Sequence, residues 1–362
     1  MNYPRSNFIR NLLLIAGAVI AFSGILRLAD QGNIPYNGYI TDGNNTVIRV
    51  NAGSPAERAG VEAGDYIRNI DGIRVEDTRA LAQQARPRIG QRSNLVVERR
   101  GEGASGATPL DRKVEFEYAP SPGRYVALGY ASFFIGLCFL VCGLTAYIGI
   151  PSKSGALFAL TGLCLGASFL GTPYFSSFAV RTLMRAVQYI IVVFGFAFLF
   201  HLMLVFPKRK SLLQRKHAIG LLYGPPLLVA MYAFFLIALQ PPATSGLNQL
   251  TNLLFGLFIV IYFSGAAVAI VHSYAKASHE ERARQGLHMV MGGILLDILP
   301  VTIALILRIV APRLVPPGVD FYFVTLILIP VALFVAISRQ VHPARSLGKR
   351  IFAIPKVGEV SE

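Results

Sequence analysis

Apolar residues in this chain do not form short amphipathic stripes; they come in long blocks separated by polar turns. The first block, "NLLLIAGAVIAFSGILRLA", follows Arg5 and Arg10 and is long enough to cross a bilayer with its ends snorkelling. Seven more follow, at about residues 125–148, 155–172, 182–206, 218–240, 251–272, 287–310 and 321–338. The pattern predicts a polytopic α-helical membrane protein of about eight spans. It divides the chain into a first transmembrane helix (1–29), a polar insert (30–122), a seven-helix bundle (123–338) and a basic tail (339–362).

The insert has another rhythm. In "SPAERAGVEAGDYIRNIDGIRV", Ser54-Pro55 opens a helical turn that Gly60 ends, and Gly64-Asp65 turns the chain into the alternating "YIRNI". Asp71-Gly72 is a two-residue hairpin turn, with Gly supplying positive φ. Asp77 caps a helix from about Thr78 to Ala85 that Pro87 stops, and "NLVVERR" and "KVEFEY" read as strands. The sum is a small α+β domain between the first two spans.

Composition supports this division, with 54% hydrophobic and 15% charged residues. The net charge of +15 raises a nucleic-acid reading, which its location removes. Between Leu28 and Tyr125 there are 13 basic and 13 acidic residues, so the whole excess belongs to the membrane part. With the N-terminus inside, the inner loops and tail carry sixteen Lys and Arg, five of them in "PKRKSLLQRKH". The short outer loops carry only Arg181 and Arg313 as clear positives. This asymmetry predicts both termini in the cytoplasm and the insert outside. A cleaved signal peptide is the rival reading of the first block; Arg27 stands where a small residue would precede the cleavage site, which favours a retained anchor.

Cys138, Cys142 and Cys164 lie in apolar runs with no zinc spacing and no disulfide framework, so packing is their expected role. Tyr125, Tyr174, Tyr223 and Tyr322 near span ends suit an interfacial belt.

The string "SPAERAGVEAGDYIRNIDGIRV" closely resembles the core of bacterial PDZ domains, as found beside periplasmic serine proteases and in intramembrane metalloproteases. The resemblance extends over about Tyr36 to Pro120. It implies that an extended peptide, or the C-terminus of an exported protein, adds a strand to the sheet edge. By the same resemblance the carboxylate loop falls in "YNGYITDG", at Gly38, Tyr39 and Ile40, and the opposite groove wall is the helix after Asp77, through Thr78 and Ala82. The alternatives are that these residues only pack, or that the protein fills its own groove.

Catalytic signals are weak. "LLDILPV" from Leu295 to Val301 looks like the second metal-ligand motif of site-2 proteases, but the nearest string to His-Glu-x-x-His, "HEERA" from His279, has Ala283 at the second histidine. "GASG" at Gly103 to Gly106 lies in the polar insert, where a rhomboid-type serine has no helix to sit on. The expectation is no enzyme, no cofactor and no metal. Two intramembrane candidates remain. Asp297 is a costly carboxylate, serving a functional role or a helix–helix hydrogen bond; Arg308, about three turns along, is too far to pair with it. His201 is a proton-sensitive group or a packing residue.

"FLFHLMLVFPKRKSLLQRKHAIGLLYGPPLLVAMY" and "HEERARQGLHMVMGGILLDILP" resemble the N-terminal sensor region of competence-type sensor histidine kinases and some stress-response membrane phosphatases. After Ser338 about two dozen residues remain, too few for a kinase domain, so the resemblance implies a non-enzymatic sensor or adaptor in a bacterial cytoplasmic membrane that signals through a separate cytoplasmic protein. A permease using the bundle, and a scaffold presenting the domain to a protease, are the other readings. Peptide and membrane lipid are the expected partners; nucleic acid is not.

Overall fold

A computed structural model describes residues 7–42, 44–99, 110–149, 152–239, 246–310 and 324–341. The Gly103–Gly106 string, Arg313, Tyr322, the Arg308 side chain and the tail beyond Val341 lie outside the described residues. Helix α1 (Asn7–Ala29) leads into a β-rich domain, and the remaining long helices follow it.

The domain contains β1 (Pro35–Tyr36), β2 (Tyr39–Thr41), β3 (Val47–Val50), α2 (Pro55–Arg58), β4 (Tyr66–Ile70), β5 (Ile73–Arg74), α3 (Thr78–Gln83), β6 (Arg92–Arg99), β7 (Leu110–Glu117) and β8 (Ala119–Pro120). Four strands form an antiparallel sheet in the order β5-β4-β6-β7, β2 pairs with β3, and β1 pairs with β8. Ser54 caps α2, its hydroxyl accepting the Glu57 N–H at 3.2 Å, and Pro55 takes the first helical position, where no N–H is needed. Asp71 and Gly72 have φ of 50° and 82°, the two left-handed residues of a type I′ hairpin turn between β4 and β5. Alternation along β6 and β7 buries Leu95, Val97, Val114 and Phe116 with Val47, Ile67 and Val75 in one core.

Helix α3 is shorter than the sequence predicts. Asp77 caps it, accepting the Ala80 N–H at 2.9 Å, but it ends at Gln83 instead of Ala85. Arg86 precedes Pro87 and is driven from helical backbone, and other partners engage residues 82–86.

The membrane part contains α4 (Gly123–Gly149), α5 (Lys153–Leu170), α6 (Phe178–Val205), α7 (Ala218–Leu239), α8 (Gly246–Lys276), the short α9 (His279–Arg284), α10 (Leu287–Val310) and α11 (Leu328–Val341). Six helices among the described residues are long and apolar enough to cross a membrane: α1, α4, α5, α6, α7 and α8. The other two expected spans coincide with α10, which has 24 residues, and α11, which has 14. At about 1.5 Å per residue, α11 falls short of a hydrocarbon core roughly 30 Å thick. Pro330 falls in its first turn, where the missing N–H would have no intrahelical partner.

Small residues bring α4 and α5 together. A Cβ on Gly143 would lie 2.8 Å from the Phe158 carbonyl oxygen, and one on Gly162 would lie 2.4 Å from that of Phe139. The "GLCLG" string of Gly162 to Gly166 therefore lets the backbones touch, as small-residue seams do in membranes. Cys138 and Cys142 are free thiols one turn apart, and Cys164 is a third.

Candidate peptide groove and its docking on the helix bundle

The proposed carboxylate loop is built by the helix that follows it. Gly38 is buried, its φ is +94°, and a Cβ there would lie 2.0 Å from the Ser54 Cβ. Any other residue is excluded by both conformation and contact. The Asn37 carbonyl accepts the Ala56 N–H at 3.0 Å, satisfying a donor that the start of α2 leaves open, and the Gly38 carbonyl accepts the Asn51 N–H at 2.8 Å. The Ser-Pro-Ala turn thus holds the loop in place.

Tyr39 and Ile40 continue from Gly38 into β2, whose only strand partner among the described residues is β3, so its other edge is unpaired. The Tyr39 ring packs edge-on against Phe116 at 6.3 Å and 83°. Burial pushes its phenol above the ordinary tyrosine range. Tyr39 and Leu81 pack on the same core, so β2 and α3 flank one hydrophobic centre. Thr78 and Ala82 are half-buried and one turn apart on α3.

The far end of α3 is tied to the bundle. The Arg181 Nη2 donates to the Ala82 carbonyl at 2.7 Å and to the Gln84 carbonyl at 3.2 Å, while Nη1 donates to the Tyr174 hydroxyl and to the Phe175 and Ser176 carbonyls at 2.9, 3.1 and 2.8 Å. Tyr174 also accepts the Arg86 backbone N–H at 2.7 Å. Its ring is flanked by two guanidinium groups, with the Arg86 and Arg181 Cζ atoms 5.1 and 5.4 Å from the centroid. Arg86 reaches on to the Asp30 carboxylate and to the Asn33 carbonyl, the latter at 3.0 Å, just past the end of α1. One cluster therefore joins the exit from α1, the end of α3 and the loop between α5 and α6. A second junction lies at the start of α4, where Asn51 donates to the hydroxyls of Tyr36 and Tyr125 at 2.8 and 3.3 Å and the buried Gln31 donates to the Tyr125 carbonyl at 3.4 Å.

These tyrosines were expected as interfacial anchors; Tyr174 and Tyr125 are also docking residues. The sequence reading missed the cluster itself. Its one visible signal was Arg181, a lone base in a short outer loop.

The intramembrane candidates are separate from the groove and from each other. His201 on α6 is buried, with Nδ1 2.8 Å from the Tyr223 hydroxyl of α7 and Nε2 without a partner among the described residues. Asp297 on α10 is fully buried, with Thr325 beside it. The His279 string forms α9, where Ser278 and Glu281 make a reciprocal capping box, so these residues serve a helix start. Among the described residues no group of three or more His, Cys, Asp and Glu is placed to hold a metal ion.

Residues 46–99 match the family model of the PDZ domain, a non-catalytic interaction module. No curated protein and no solved structure matches the chain, and nothing ties it to sensor histidine kinases. The matched segment begins after β2, so Thr78 and Ala82 fall within it while Gly38, Tyr39 and Ile40 precede it. This chain is a multi-span helical membrane protein that carries a PDZ domain between its first two long apolar helices.

Proposed function

We propose that this protein is a membrane-embedded peptide reader. Its PDZ domain takes an extended segment or C-terminus of an exported protein, and the bundle conveys that occupancy to a separate cytoplasmic signalling protein. The observation that carries the reading is the unpaired edge of β2, opening at the positive-φ Gly38, beside a helix whose other end is bonded to Arg181 of the bundle. In this reading the backbone at Gly38, Tyr39 and Ile40 receives the carboxylate, the peptide pairs with β2, and Thr78 and Ala82 form the facing wall. The charge asymmetry of the loops supports a bacterial cytoplasmic membrane with both termini and any further spans in α10 and α11 arranged so that the domain is outside.

The test is a C-terminal peptide library screened against the full chain in nanodiscs, with each hit repeated as its amide. Binding that requires the free carboxylate and is lost in Gly38→Ala supports the reading; equal binding of acid and amide removes the carboxylate loop from it. A permease is the second reading, favoured by the buried carboxylate of Asp297. It predicts that Asp297→Asn abolishes a solute flux while leaving peptide binding intact.

A further inference from the structure

Helix α7 carries Pro225 and Pro226, which lack the N–H groups that would bond the Leu221 and Leu222 carbonyls. The Leu222 carbonyl instead accepts the Tyr262 hydroxyl of α8 at 2.8 Å. Between α6, α7 and α8 lies an open groove of about 410 Å³. Its walls are apolar, including Leu204, Leu221, Pro225, Leu257 and Ile261, and its only charged lining residue is Arg215, at the mouth. Leu221, Leu257 and Ile261 are 70%, 52% and 54% exposed, on helices long and apolar enough to span a bilayer.

The charges at the mouth are not all used. Lys208 pairs with Glu281 at 2.8 Å, Arg209 donates to the Leu213 carbonyl at 2.8 Å, and Lys210 meets the Ser273 hydroxyl. The exposed side chains of Arg215 and Lys216 have no hydrogen bond or ion pair with any described residue. An apolar slot on membrane-spanning helices, ending at a guanidinium with no side-chain partner among the described residues, matches an acyl chain that ends in an anionic phosphodiester.

We propose that this groove is a binding site for one anionic glycerophospholipid, with an acyl chain between α7 and α8 and the phosphate at Arg215. A solvated peptide would gain little from walls that face hydrocarbon, and a zwitterionic lipid would place its ammonium beside the Arg215 guanidinium.

The test is native mass spectrometry of the full chain in detergent with equal amounts of phosphatidylglycerol and phosphatidylcholine. The wild type should retain phosphatidylglycerol preferentially. Arg215→Ala should lower that preference about fivefold, the effect of one basic residue near an anionic headgroup. Leu257→Trp, which fills the slot, should reduce retention of both lipids, and Leu257→Phe repeats this test if the larger residue prevents folding. Arg10→Ala, a base on α1 away from the groove, should change nothing. Equal retention of the two lipids by the wild type would overturn the site. So would a loss in Arg10→Ala as large as that in Arg215→Ala, which would reduce the preference to general surface charge.

Discussion

Arg181→Ala tests whether docking of the PDZ domain on the bundle has a free energy of its own. Of the five hydrogen bonds made by the guanidinium, three go to the segment just before its own helix α6 and two cross to the domain, at 2.7 Å to Ala82 and 3.2 Å to Gln84. A bond from a charged donor contributes about 1.5–3 kcal/mol, and here the low end applies, because water replaces part of what is lost at this half-buried site. The longer bond contributes less than the shorter. The total is about 2 kcal/mol, which lowers the docked-to-undocked ratio by roughly 30-fold.

Amide hydrogen exchange of the full chain in nanodiscs reads this directly, since the Arg86 N–H is bonded to the Tyr174 hydroxyl. Exchange across residues 78–90 should accelerate by tens of fold in Arg181→Ala and in part in Tyr174→Phe. Arg68→Ala is the control, because its partners Glu98 and Asp111 both lie on the domain's own sheet. Unchanged exchange in both Arg181→Ala and Tyr174→Phe would refute the reasoning: the contacts would exist without holding anything.

Tyr262→Phe should destabilise the bundle by about 1 kcal/mol, and by less than half of that in a Pro226→Ala background, where a restored N–H bonds the Leu222 carbonyl; denaturant titration of the four variants measures the cycle. Asp65 is almost fully buried and accepts Arg99 at 2.7 and 2.8 Å, so Asp65→Ala should destabilise the PDZ domain by about 3 kcal/mol and raise its susceptibility to pulse proteolysis. Because burial raises the Tyr39 phenol, its proton is kept in the folded state after the unfolded chain loses it at the ordinary value of 10.0. The stabilisation is complete below pH 10.0 and is lost as pH rises through the folded value, at a slope of about 1.4 kcal/mol per pH unit. Tyr39→Phe should reduce that slope in proteolysis between pH 9 and 11 without abolishing it, since Tyr118 is raised in the same direction.

What was legible in the sequence was local. Ser54-Pro55, Asp71-Gly72 and Asp77 announce a cap, a hairpin turn and a helix start, because each depends on residues within three or four positions. Long apolar blocks marked the helices for the same reason. The end of α3 was misplaced because Arg181, nearly a hundred positions away, engages the carbonyls of Ala82 and Gln84. "GLCLG" was readable as a small-residue seam, but which helix it meets is a tertiary fact. The binding residues named in advance came from resemblance, and the structure adds the physical reason for Gly38: the Ser54 Cβ leaves no room for another.

The placement of the domain carries a mechanical consequence. Pairing of Pro35 with Pro120 and Tyr36 with Ala119 brings its two ends side by side, so α1 and α4 leave from one point and pack together in the bundle. A domain held only by two adjacent ends is free to hinge about the line that joins them. The Arg181 contact lies off that line, on the first turn of α6, and removes the hinge. It grips α3, which is the facing wall of the groove proposed above. A peptide that moves α3 away from β2 must therefore break the bonds to Ala82 and Gln84 or draw the outer end of α6 with it. Those bonds contribute about 2 kcal/mol, so the affinity difference a ligand needs to displace this contact is within the usual range of coupling free energies.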